Sequence, residues 1–118
     1  MQINIIHNNF EITEAIKEYT YNKFSQIEKH LDKKEGVKLS VEFDKISNHH
    51  KHGNHYEVKA TLALGSRKIF VESVKEDLYA AIEVSKDKLL DEMSHNGDKK
   101  RDIMKKISRR FKNFIKNL

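Results

Sequence analysis

Hydrophobic positions recur along this chain with two periods, and each change of period marks an element. QINIIH, residues 2–7, alternates and predicts a short strand. From Asn8 to Leu31 the spacing becomes three and four, and Ile16, Thr20, Phe24, Ile27 and Leu31 form one stripe of a predicted helix. Thr13 is its expected N-cap, Glu14 sits in the first turn, and DKKEG with Gly36 ends it. Period two returns in VKLSVEF, which puts Val37, Leu39, Val41 and Phe43 on one face, and in YEVKATLAL, which aligns Tyr56, Val58, Ala60, Leu62 and Leu64. Gly65-Ser66 is a tight-turn signal joining that strand to RKIFVESV as a hairpin, whereas DKISNHHKHGN reads as a long polar loop. A second helix is expected from Glu76 to His95. Leu78, Ile82, Ser85, Leu89 and Met93 form its inner stripe, Ala81 lies alongside, and Asn96-Gly97 is the stop.

The order β-α-β-β-β-α predicts an α+β domain, a four-stranded sheet with both helices packed on one face, because that arrangement buries two one-sided helices at once. It should bury Leu39, Val41, Phe43, Val58, Ala60 and Leu62 together with Ile16, Ile27, Ile82 and Leu89. Residues 1–97 are assigned to this domain and 98–118 to a C-terminal tail. In the tail Ile103, Ile107, Phe111, Phe114 and Leu118 share one helical face and Lys105, Arg109, Lys112 and Lys116 lie opposite, a basic amphipathic pattern.

Charge sharpens that division. The net charge is +5, but residues 99–118 hold nine Lys/Arg against Asp102 alone, while the first 98 residues hold fourteen Lys/Arg against seventeen Asp/Glu. A basic tail on a mildly acidic body points to a polyanion, either nucleic acid or an anionic membrane surface. The chain has no cysteine, which excludes disulfides, thiolate metal sites and cysteine nucleophiles. QINIIH does not resemble a signal peptide and no apolar run reaches membrane-spanning length, so a cytoplasmic protein is expected. His49, His50, His52 and His55 could supply imidazoles, but structural zinc usually takes four ligands at fixed spacing, so these residues are read as a solvated loop and no metal or cofactor is expected. No phosphate loop, HExxH or nucleophile constellation appears, and an enzyme is not expected. Glu76-Asp77 is read as a pair of first-turn helix charges.

FEITEAIKEYTYNKFSQIEKHL and VKEDLYAAIEVSKDKLLDEMSHNGDKKR resemble the ribosome hibernation-promoting factor and ribosome-associated inhibitor A family. The first carries the EIT-x-AI entry to helix 1, followed by Lys23, Ile27, Glu28 and Lys29. The second carries EDxYxAI, then KL, then Gly97, Asp98, Lys100 and Arg101 at the helix exit. The resemblance covers residues 1 to 101 and implies a non-enzymatic protein on the small ribosomal subunit. There it would contact 16S rRNA in the channel of mRNA and tRNA, compete with both, and silence and protect idle ribosomes under stress or in stationary phase. Long members add a dimerisation domain; at 118 residues this chain is expected to be a short form, monomeric off the ribosome. The histidine-rich loop and the basic tail depart from the family pattern. They leave open whether it blocks subunit pairing or assists ribosome dimerisation.

Candidate RNA contacts follow from charge and place, since lysines gain affinity by releasing counterions from a polyanion. Lys23 and Lys29 come from helix 1, Lys75 from the last strand, and Lys86 and Lys88 from the flanks of helix 2. Lys99, Lys100 and Arg101 follow its exit, and Lys105, Arg109 and Arg110 belong to the tail. Glu83, Asp87 and Asp91 form an outer acidic line on helix 2, expected to face away from phosphate. The alternatives are a module for other structured RNA, or a peripheral membrane protein using the tail as a surface helix.

Overall fold

The computed structural model describes residues 1–31, 36–47 and 54–97. Strands β1 (Gln2–His7), β2 (Val37–Ser47), β3 (Asn54–Leu64) and β4 (Arg67–Lys75) form one sheet in the order β1-β2-β3-β4. Helix α1 (Glu14–Ser25) connects β1 to β2, and α2 (Leu78–Gly97) follows β4. The helical connection is why β1 runs parallel to β2, whereas the later strands, joined by shorter connections, pair antiparallel. Gly65 takes a φ of 62° at the first centre of the β3-β4 turn, a conformation that glycine adopts without steric cost.

Register places the core. Ile3 opposes Leu39 and Ile5 opposes Val41, while Leu39, Val41 and Phe43 face Leu62, Ala60 and Val58. The row continues to Ile69, Val71 and Ser73 on β4. These side chains of β2 and β3, with Ile69 and Val71, form one buried cluster with Phe24, Ile27, Ala81, Ile82 and Leu89, against which the half-buried Ile3 and Ile5 pack. Both helices therefore share one face of the sheet, as the one-sided stripes predict. Of the residues expected in this core only Ile16 remains half-buried.

Local structure departs from the periodic reading at three points. Helix 1 does not run unbroken to Leu31: after Ser25 it tightens into a 3-10 turn over Gln26–His30. Ile27 on this turn and Phe24 at the end of α1 are both fully buried. Asp77 lies outside α2 and not in its first turn; its Oδ1 accepts from the Tyr79 backbone N–H at 3.0 Å. The polar connection is shorter than expected, since β2 continues through Ser47 and β3 begins at Asn54. His49, His50 and His52 lie outside the described residues. His55 lies on β3 with Nε2 3.8 Å from Glu76 Oε1. The tail, with its predicted helical face, also lies outside them.

Inside α2 the stripe is polar at one position. Ser85 is fully buried, its Oγ 2.7 Å from Ser73 Oγ, which lies 2.7 Å from the Ala81 carbonyl. The Val58 carbonyl lies 3.2 Å from Ser85 Oγ. Two hydroxyl protons serve these three contacts, and the short pair is satisfied together when Ser85 donates to Ser73 and Ser73 to Ala81. The helix is thereby fixed to the sheet by hydrogen bonds as well as by packing.

Candidate nucleic-acid interface

The two faces of the sheet differ in character. The uncovered face carries Glu42, Asp44, Glu57 and Glu72 around Lys59, whose ammonium is 3.4 Å from Glu57, with Lys38 and Lys68 toward its other end. The hydrogen bond that Lys59 donates to Glu57, with weaker attraction from Glu42 and Asp44, holds the Lys59 pKa above its usual range. A phosphate backbone would meet repulsion around that carboxylate group.

Where α1 and α2 lie side by side, three polar side chains converge on Glu83. Lys23 Nζ is 3.1 Å from Glu83 Oε2, Lys86 Nζ is 3.0 Å from Oε1, and the Tyr19 hydroxyl donates to Oε2 at 3.3 Å. Hydrogen bonds from Lys86 and then Lys23 hold the Glu83 carboxyl below the usual carboxylate range. The Glu83 hydrogen bond raises the Lys86 pKa against the cost of burial, and burial raises that of the Tyr19 phenol. Lys23 also stands over the Tyr19 ring, 5.4 Å from its centroid, and Tyr79 packs edge-to-face on the same ring at 4.8 Å.

This arrangement separates the candidate lysines. Lys23 is partly exposed at the seam, and Lys29 and Lys75 are exposed on the 3-10 turn and the end of β4. Lys86 is only 7% exposed and is bound to Glu83 and, at 3.2 Å, to Asp87. Its ammonium holds the clasp and is not offered to a partner. Lys88 belongs to the other flank of α2, where Nζ donates to the Glu72 carbonyl at 2.7 Å. By occupying a backbone carbonyl of the edge strand β4, it blunts that edge against further pairing. The expected outer acidic line holds for Asp87 and Asp91, which are exposed, but Glu83 turns into the helix seam. Lys99, Lys100, Arg101, Lys105, Arg109 and Arg110 lie outside the described residues.

Sequence reasoning passed over Tyr19, Tyr79 and the bridging role of Glu83. A signal was present, since Tyr19 and Lys23 are four apart, as are Tyr79 and Glu83, with Lys86 three further on. What the spacing could not show is that the two stripes face each other.

Comparison with known proteins agrees with this architecture. Over residues 3–101 the chain matches the family described as Sigma 54 modulation protein / S30EA ribosomal protein. It is 32% identical over 99 residues to a protein of Escherichia coli K12 called ribosome hibernation promoting factor, covering 84% of this chain and 96% of that one. A Pseudomonas putida protein of the same name is 27% identical over 104 residues, covering 88% and 94%. Among solved structures, the Thermus thermophilus Protein Y N-terminal domain superposes with a TM-score of 0.67 at 26% identity, covering 79% of this chain and 96% of that domain. A ribosomal subunit interface protein from Coxiella burnetii superposes with a TM-score of 0.68 at 19% identity, covering 82% and 98%, a likeness of fold alone. With the match running from β1 through the whole of α2, the chain belongs to the Sigma 54 modulation protein / S30EA ribosomal protein family.

Proposed function

We propose that this protein is a ribosome hibernation factor of the cytoplasm. It binds the small ribosomal subunit on 16S rRNA, in the channel of mRNA and tRNA, and silences translation by occupying that space. Idle ribosomes are thereby protected under stress or in stationary phase. The observation that carries this reading is the family match over residues 3–101, which takes in every strand and helix described here. The geometry supports it in a specific way. Glu42, Asp44, Glu57 and Glu72 on the open sheet face outnumber Lys38, Lys59 and Lys68, whereas the helix face offers Lys23 at the seam and the exposed Lys29 and Lys75, and RNA is met there. α2 itself carries Glu83, Asp87, Asp91 and Glu92 against Lys86 and Lys88, so much of the attraction must come from the cations after Gly97. Residues 98–118 thus act as a basic extension of the 1–97 body. No chemistry is required of the protein, because occlusion is sufficient.

The test is sedimentation of the purified protein with small and large ribosomal subunits on sucrose gradients at near-physiological salt. Comigration with the small subunit is expected. Migration with neither subunit, or with the large subunit alone, would sink the reading.

A further inference from the structure

We propose that Tyr79 and Lys23 form a stacking site for one unpaired RNA base, the ring of Tyr79 taking the base and the Lys23 ammonium its phosphate; this rests on the RNA-binding reading above. Tyr79 is 40% exposed although it stands in the first turn of α2 beside a second aromatic ring. It is held from two directions. Its backbone N–H is bound by the Asp77 carboxylate at 3.0 Å, and its ring lies edge-to-face on Tyr19 at 4.8 Å, with the planes at 84°. Tyr19 is itself fixed through its hydroxyl to Glu83. A half-exposed ring locked in this way loses little conformational freedom when a base lies on it.

The cation belongs to the same assembly. Lys23 lies over Tyr19 and is tied to Glu83, so the ammonium and Tyr79 both contact the same ring. Glu83 holds the Lys23 ammonium at the seam before any phosphate arrives. Phe70, the most exposed large hydrophobic residue described, lies on the uncovered face between Lys68 and Glu72, without a second ring among the described residues to hold it. Aromatic stacking with a neighbouring cation suits a base that is splayed out of a helix, not one inside a duplex.

Binding of the whole chain is measured with two probes, purified small subunits and a fluorescent single-stranded oligoadenylate of twelve nucleotides, with the matching RNA duplex as control. Tyr79→Leu should lose about tenfold in affinity for subunits and oligoadenylate, with no change in salt slope, and Tyr79→Phe should bind as the parent does. Lys23→Gln should make the salt dependence shallower by about one phosphate contact. The parent should prefer oligoadenylate to duplex. Unchanged binding of Tyr79→Leu to both probes would overturn the proposal, as would equal affinity of the parent for single strand and duplex. So would a loss that merely follows the fraction of unfolded protein in thermal melts of Tyr79→Leu. Should the parent bind oligoadenylate through Tyr79 but not the small subunit, the stacking site stands and the ribosomal reading fails.

Discussion

Lys23 on α1 and Glu83 on α2, sixty positions apart in sequence, lie 3.1 Å from each other, and the contact ties the two helices together. Lys86 closes the same carboxylate from the other side at 3.0 Å. Partly exposed pairs of this kind contribute about 0.2–1 kcal/mol each. Glu83→Gln should therefore cost about 1 kcal/mol, a fall in Tm of about 4–8 °C for a domain of this size. Thermal unfolding at low and high salt checks this, and the deficit should shrink as salt screens the pairs.

The same contact fixes the sign of a pH dependence. Glu83 has a folded pKa below its ordinary value, so its contribution is complete above the usual carboxylate range and is lost as pH falls through the folded value. Lys86 has a folded pKa above its ordinary value, so its contribution is lost only as pH rises through that higher value. The difference in Tm between the parent and Glu83→Gln should be flat through neutrality and disappear in acid. A difference that grew in acid would contradict the assigned contacts.

Core packing makes a larger demand. Ile82 is fully buried against the sheet, and Ile82→Ala should cost about 2–5 kcal/mol by denaturant titration. The buried serines behave differently, because they act as a unit. Ser73→Ala and Ser85→Ala should each cost about 1–3 kcal/mol, and the double variant should cost clearly less than both together.

The sequence carried the sheet and its core almost completely, because alternation in VKLSVEF and YEVKATLAL states which side chains face inward whatever the neighbouring strand. It carried α2 as a stripe, even to the polar Ser85. It did not carry the 3-10 ending of α1, since Phe24 and Ile27, three apart, fit either helix type until the core is present. The candidate site was only half legible for a similar reason. Lys23, Lys86 and Lys88 look alike as charges, and only tertiary packing separates the partly exposed Lys23 from the buried Lys86 and from Lys88 bound to the β4 edge.

The tail gives a prediction that separates two partners. A basic amphipathic segment of this length is marginal as an isolated helix, and its like charges weaken it further. Deleting residues 102–118 should weaken small-subunit binding and reduce its salt slope while leaving the melting of the body unchanged. Unchanged ribosome binding with loss of binding to anionic vesicles would assign the tail to a membrane surface.

Occlusion of the decoding channel is the central claim, and competition tests it most directly. Labelled protein is bound to purified small subunits, and mRNA with initiator tRNA is then added in excess. Displacement in proportion to tRNA occupancy is the predicted result. Simultaneous binding of protein, mRNA and tRNA to the same subunit, with no loss of affinity, would contradict the account.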